Sequence, residues 1–187
     1  MKRRAPLASL AVLVWAVLAP VSAGGQGFVF ESTPRFDVTI VIEPSGDLLI
    51  TETIVQEFGS TERHGIFRNI PNWLRYDNEF DRVYPIDLIS VNASADTPDD
   101  VETKEENGNF VIRIGDPDTT ITGRHTYEIV YRVEGAMNGF DSHDELFWNV
   151  IGNEWEQSIG EMNVRVTAPA DVTRVACFEG TFGSTAE

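Results

Sequence analysis

The sequence holds a single cysteine, Cys177, so no disulfide can form within the chain, and multi-cysteine zinc and iron–sulfur sites are excluded. Histidine is almost as scarce. His64, His125 and His143 are the three present, and none has the helical spacing of a zinc motif. Basic residues are few: 14 Lys and Arg stand against 30 Asp and Glu, for a formal net charge of -16. Such a field repels a phosphate backbone and argues against nucleic-acid binding; an anionic membrane surface is an equally poor partner. There is no Gly-x-Ser-x-Gly elbow, no phosphate-cradling loop and no Gly-x-Gly-x-x-Gly fingerprint. After residue 24 no apolar stretch reaches membrane-spanning length. Internal repeats and convincing amphipathic helices are also missing.

What is present begins with an address. Lys2, Arg3 and Arg4 precede an apolar run over residues 5–21, and Val21-Ser22-Ala23 supplies the small residues that a signal peptidase reads. Residues 1–23 are therefore read as a secretory signal peptide cut after Ala23, with an uncleaved anchor as the alternative. Taking its three cations from the formal -16 leaves the exported part at -19. Residues 24–35 form a short leader and residues 36–187 a single domain, long enough for one core and short for two. The expected location is outside the cytoplasmic membrane, facing the extracellular space or a periplasm.

The mature chain reads as strands. Phe36, Val38, Ile40 and Ile42 alternate with polar neighbours, Pro44-Ser45-Gly46-Asp47 marks a turn, and a second run follows over residues 48–58. Residues 59–81 read as an irregular, aromatic-rich loop. Residues 83–93 are strand-like. Asn107-Gly108 predicts a hairpin with two positive φ values between residues 101–106 and 109–114. The clearest strand covers residues 124–134. Residues 135–144 read as a loop, Met162, Val164, Val166 and Ala168 alternate in another strand, and residues 172–178 complete the set. The pattern predicts an all-β fold, an antiparallel β-sandwich of about eight or nine strands.

Glu52 is the oddity. It shares a strand face with Leu48, Ile50, Ile54 and Phe58, where an unpartnered carboxylate is costly to bury. Arg68, in the next segment, is the expected partner through a bidentate pair that would pin that segment to the sheet. On this reading Glu52, His64 and Arg68 are structural clasps. His125 lies on the apolar face of its strand and reads as a core or edge histidine. Trp148 reads as core, with Asn149 beside it, and Trp73 as packed or as an exposed anchor for a partner. Asp141, Asp144 and Glu145 form an acidic loop that could ligate calcium, although its spacing does not match the twelve-residue calcium loop. No other cofactor is expected.

Several stretches carry a resemblance. They are Gly46-Asp47-Leu48 with Thr51-Glu52, then His64-Gly65-Ile66-Phe67-Arg68-Asn69-Ile70-Pro71, then Ile114-Gly115-Asp116 with Gly123-Arg124-His125-Thr126-Tyr127 and Tyr131. The last is Asp144-Glu145-Leu146-Phe147-Trp148-Asn149-Val150-Ile151-Gly152 with Trp155. Together they resemble the N-terminal domain of the predicted membrane proteins called domain of unknown function 2207. That resemblance implies an exported β domain followed by transmembrane helices, so membrane attachment would come from a segment beyond Glu187. It also implies that Cys177 is one half of a disulfide whose other half lies further on. It implies no activity.

Two functions follow. The first is a non-catalytic extracytoplasmic module of a membrane-anchored envelope protein, engaged in interaction or sensing, with a protein or glycan bound through residues 59–80. The alternative is a metal-dependent hydrolase or calcium-regulated site that uses Glu52, His64, Asp144 and Glu145. It requires those groups to converge on one point.

Overall fold

The computed structural model describes residues 30–75, 79–152 and 154–178. The expected signal peptide, the first part of the leader and residues 179–187 lie outside the described residues. Within them the chain is all-β. Its strands are β1 (Ser32–Ile42), β2 (Leu48–Glu57), β3 (Gly65–Pro71), β4 (Trp73–Arg75), β5 (Asp81–Val83), β6 (Ile86–Ala93), β7 (Val101–Glu106), β8 (Asn109–Gly115), β9 (Arg124–Val133), β10 (Met137–Gly139), β11 (Asp144–Leu146) and β12 (Ile159–Thr167).

A five-stranded sheet in the order β12-β1-β2-β9-β6 forms one layer, and a three-stranded sheet in the order β3-β8-β7 forms the other. Two short ribbons, β4-β5 and β10-β11, complete the fold. The sandwich closes because each main strand has one apolar face. Phe36, Val38 and Ile40 of β1, Leu48, Ile50 and Ile54 of β2, and Tyr127, Ile129, Tyr131 and Val133 of β9 are all buried. They meet Ile66 and Ile70 of β3 and Phe110, Ile112 and Ile114 of β8 in one core. Alternation on a pleated strand places these residues on a single side, and burying that side drives the two layers together.

Turn chemistry sets the register. Between β7 and β8, Asn107 and Gly108 have φ of 52° and 78°, the paired positive values of a tight hairpin turn. Gly65 and Gly115 face each other across the β3–β8 ladder. A Cβ at Gly65 would lie 1.9 Å from the Ile114 carbonyl oxygen and one at Gly115 1.9 Å from the His64 carbonyl oxygen, so only glycine allows this approach.

Several expectations need correction. Residues 59–81 are not an irregular loop: β3 and β4 lie within them. Arg68 occupies an inward position between Ile66 and Ile70, and this masks the apolar period of β3. Residues 135–144 contain β10, which pairs with β11. Residues 172–178 form no strand, and Val172, Val175 and Phe178 are 54%, 82% and 67% exposed. They have no neighbouring strand among the described residues to accept their backbone groups. The twelve strands exceed the expected eight or nine because four, β4, β5, β10 and β11, are three residues long. Within the otherwise antiparallel sandwich, β12 runs parallel to β1.

The second layer does not reach β12. Val164 and Val166 pair with Val38 and Ile40 and therefore share their face. Val38 and Ile40 are 2% and 1% exposed, yet Val164 and Val166 are each 45% exposed.

Candidate functional site

Two places in the fold gather polar or aromatic groups in a way that packing alone does not require. The first is buried. Glu52 sits on β2 between Val38 of β1 and Ile129 of β9, in the middle of the larger sheet. Arg68 reaches it from the opposite sheet: Nε donates to Oε2 at 2.6 Å and Nη2 to Oε1 at 2.8 Å. Both side chains are essentially solvent-free, at 1% and 0% exposure. The pair expected from the sequence is thus a fork across the core. Tyr131 of β9 adds a third donor, its hydroxyl 2.6 Å from Glu52 Oε1.

Arg68 spends every donor it has. Nη1 donates to the carbonyls of Asn69 at 2.6 Å and Ile151 at 2.9 Å, and Nη2 also donates to Val150 at 2.7 Å. A guanidinium has five N–H groups, and all five are engaged. Its Cζ lies 5.6 Å from the centre of the Phe36 ring. Burial works against the cation, but the charge and hydrogen bonds of Glu52 outweigh it and raise the Arg68 pKa. Burial, and after it the Glu52 charge, pushes the Tyr131 hydroxyl well above its ordinary range.

This centre joins segments far apart in sequence. The His-Gly-Ile-Phe-Arg-Asn-Ile-Pro stretch supplies Arg68 and Asn69, and the Asn-Val-Ile-Gly stretch supplies the carbonyls. Asn69 Nδ2 donates to Glu154 Oε2 at 2.7 Å, and Asn109 Nδ2 donates to Glu154 Oε1 at 3.2 Å. Asn149 Oδ1 accepts from the backbone N–H of Gly152 at 3.0 Å. Gly152 has φ of 86°, and a Cβ there would lie 3.0 Å from Pro71 Cδ. Trp155 completes the attachment to β1: its Nε1 donates to Thr33 Oγ1 at 3.1 Å and its ring lies 5.3 Å from Phe36.

The other sequence candidates lie apart from this centre. His64 precedes β3, and its Nδ1 lies 3.2 and 3.0 Å from the carbonyls of Asp116 and Thr119. Carbonyls only accept, so Nδ1 carries the proton. The adjoining turn is held by Asp116, whose carboxylate accepts from the Asp118 N–H and the Thr119 hydroxyl; these bonds lower its pKa. His125 is half-buried against Phe58, with Nδ1 2.6 Å from Thr97 Oγ1. His143 stacks on Phe140 at 4.9 Å, and Asp144 and Glu145 belong to the β10–β11 ribbon. Among the described residues, no group of three or more His, Cys, Asp and Glu side chains gathers to hold a metal ion. Cys177 is exposed.

The second place is open. Two shallow depressions of about 350 and 300 Å³ share Arg82 and Asn138 in their linings. Phe80 and Phe140 line the first and Phe147 the second, and these rings are 65%, 54% and 59% exposed. Arg82 lines both depressions. It donates to Asn138 Oδ1 and to the carbonyls of Gly135 at 2.7 Å and Met137 at 3.1 Å, and lies over the Tyr84 ring at 5.1 Å. Trp148 meets Tyr84 edge-on at 5.8 Å and is partly buried against the core. Trp73 lies elsewhere. It is 45% exposed, and its backbone N–H donates to the carbonyl of Gly108 in the hairpin turn at 3.2 Å.

Sequence reasoning missed Tyr131, Glu154 and the Arg82 surface. The alternation of β9 places Tyr131 inward, which could have suggested a polar tip seeking Glu52. Nothing local marks Glu154 or brings Arg82 to Asn138, because both contacts join distant parts of the chain.

Among solved structures, the chain is similar to a two-domain M1 zinc metallopeptidase variant bound to L-tryptophan. The identity is 9% and the TM-score 0.36, over 59% of this chain and 22% of that one. With the L-arginine complex of such an enzyme, the identity is 12% and the TM-score 0.43, over 75% and 33% of the two chains. The uncharacterized protein YciQ of Escherichia coli (strain K12) is 29% identical over 128 residues, which are 67% of this chain and 20% of YciQ. The chain thus spans about one fifth of that relative's length. Residues 32–186 match the N-terminal domain of the predicted membrane proteins DUF2207, and the chain belongs to that family.

Proposed function

We propose that this domain is a non-catalytic interaction module, held outside the cytoplasmic membrane by a membrane-anchored envelope protein. The observation that carries the reading is the occupation of Arg68. The most chemically capable group of the most distinctive motif has all five donors committed to the protein itself. A guanidinium that served substrate would have to present at least one donor to a cavity. In this fold it ties two motifs together and so shapes a surface.

The surface best suited to a partner is the Arg82 cleft. It is aromatic, shallow and open, and this suits a protein better than an enclosed small molecule. Leu74, Arg75 and Phe80, from the segment expected to bind, contribute to its walls. The basic and apolar N-terminus and the family's description as predicted membrane proteins support the location. No cofactor enters this reading, and adding calcium or zinc to metal-stripped protein should leave its melting midpoint unchanged.

Two measurements in producing cells test it. Photo-crosslinking side chains placed at Phe140 and Phe147 should trap a discrete protein, whereas the same group at Glu102 on β7 should not. A glycan adduct at 140 and 147, or no adduct, overturns the choice of partner. In a Cys177→Ser background, a membrane-impermeant maleimide should label Glu102→Cys on the fully exposed strand β7 before lysis. Labelling that requires lysis overturns the location.

A further inference from the structure

The sandwich has four strands at its sheet edges, and three carry a device against pairing. β7 has every residue exposed and includes Lys104 among its glutamates. β6 has a register shift between Leu88 and Ser90. β3 ends in Pro71 and is strapped by the Arg68 and Asn69 bonds to the later segment. Charged and kinked edges of this kind block edge-to-edge association. β12 differs. It is nine residues long, contains neither proline nor lysine, and has no neighbour on its outer side among the described residues.

The direction of its free backbone groups follows from the ladder. Thr33 N–H donates to the carbonyl of Ser158 at 2.9 Å, and Thr33 pairs with Ile159. In a parallel ladder, alternate residues of a strand bond to the same neighbour. The even-numbered residues of β12 therefore bond to β1, and Glu161, Asn163 and Arg165 direct their N–H and C=O groups to the open edge.

We propose that this edge is a homodimer interface in which two copies pair β12 antiparallel about a two-fold axis through Asn163. Three features are compatible with that centre, and the charge pairing selects it. Asn163 then pairs with itself at a hydrogen-bonded position, the geometry that its outward backbone groups require. Glu161 falls opposite Arg165 of the partner copy, and Arg165 opposite the partner's Glu161. Arg165 forms no ion pair among the described residues, so the dimer supplies its counter-charge. On the other face, Met162 falls opposite Val164 of the partner and covers part of the apolar strip that the second layer leaves exposed. A shift of the axis by half a residue would set outward-facing groups against inward-facing ones, and a shift by one residue would already take Glu161 and Arg165 out of opposition. A shift by two removes both charge pairs as well. The strand is self-complementary, as an isologous interface demands. One strand pair buries less than a standard interface, so the dimer forms in a concentration-dependent way.

Analytical ultracentrifugation of the full chain, kept in mild detergent because of its apolar N-terminal run, tests the proposal. The wild type should pass from monomer to dimer as concentration rises. Arg165→Glu should raise the dimer dissociation constant by at least about tenfold, because like charges then face each other twice. Adding Glu161→Arg to that variant should restore the dimer, and Lys104→Glu on β7 should leave it unchanged. In a Cys177→Ser background, Asn163→Cys should form a disulfide-linked dimer on mild oxidation, since paired Cα atoms there are about 5.5 Å apart. A monomer at every concentration overturns the proposal, as does a dimer indifferent to Arg165→Glu. So does a monomer whose Glu161, Asn163 and Arg165 amides resist hydrogen exchange, which would mean that another part of the chain covers the edge.

Discussion

Arg68 and Glu52 meet as a two-pronged fork between the sheets, at 2.6 and 2.8 Å, with neither side chain open to solvent. Desolvating two charges is expensive, and an apolar pair of similar volume is often as stable. The stabilising value of this fork therefore lies in what it holds in place, namely the carbonyls of Val150 and Ile151 and the hydroxyl of Tyr131.

Glu52→Gln leaves the Arg68 charge buried without its counter-ion. It should destabilise the fold by about 3–5 kcal/mol. The melting midpoint should fall by on the order of 10 °C. The double variant Glu52→Leu with Arg68→Met should lose less than either single change. Thermal melting of wild type, Glu52→Gln, the two single changes and the double variant checks this, and an unchanged midpoint in Glu52→Gln would sink the clasp.

Gly65 and Gly123 both have positive φ, 141° and 79°, but only Gly65 faces a backbone atom across a ladder. Ala at position 123 meets nothing within 4 Å. It should cost about 1–2 kcal/mol, the penalty of a left-handed L-residue. Ala at 65 would place its Cβ 1.9 Å from the Ile114 carbonyl oxygen and should prevent β3 and β8 from pairing. Urea denaturation of the two variants should separate them clearly, and equal effects would contradict the close approach.

Asp116 has a lowered pKa because the Asp118 N–H, and after it the Thr119 hydroxyl, favours the carboxylate. A depressed folded-state pKa contributes stability that is complete above the unfolded value of 3.8 and is lost as pH falls through the folded one. Asp116→Ala should therefore melt below wild type at neutral pH, and the gap should close in strong acid. A gap that stays constant from neutral pH down to about pH 2 would rule out this contribution.

Tyr127 is fully buried, and its hydroxyl has no hydrogen-bond partner among the described residues. Burial pushes its pKa up to about 12. Removing an unsatisfied buried hydroxyl lifts a desolvation penalty, so Tyr127→Phe should be neutral or stabilising by about 1 kcal/mol. A loss larger than that, measured by denaturant titration, would show that the hydroxyl has a partner.

The sequence was most legible where one strand face is wholly apolar. Phe36, Val38 and Ile40 predict β1, and Tyr127, Ile129, Tyr131 and Val133 predict β9. Asn107-Gly108 marks its own turn. The Glu52–Arg68 pair was also readable, because a carboxylate among isoleucines demands a partner and few cations lie near in sequence. β3 was hidden by the same arginine, which breaks the apolar period that strand reading depends on. The three-residue strands are too short to show any period. The Arg82 cleft joins β5 to β10 across more than fifty positions, and such contacts leave no local signature.

The parallel contact between β1 and β12 sets how the domain carries mechanical load. The first and last strands of the described residues lie side by side over eight paired positions and run in the same direction. Tension applied through the two ends of the chain would slide these strands past one another along their length. Every bond of that ladder would then share the load at once, whereas an antiparallel pair pulled from one end peels open one bond at a time. The β1–β12 seam is thus the domain's shear-resistant clamp.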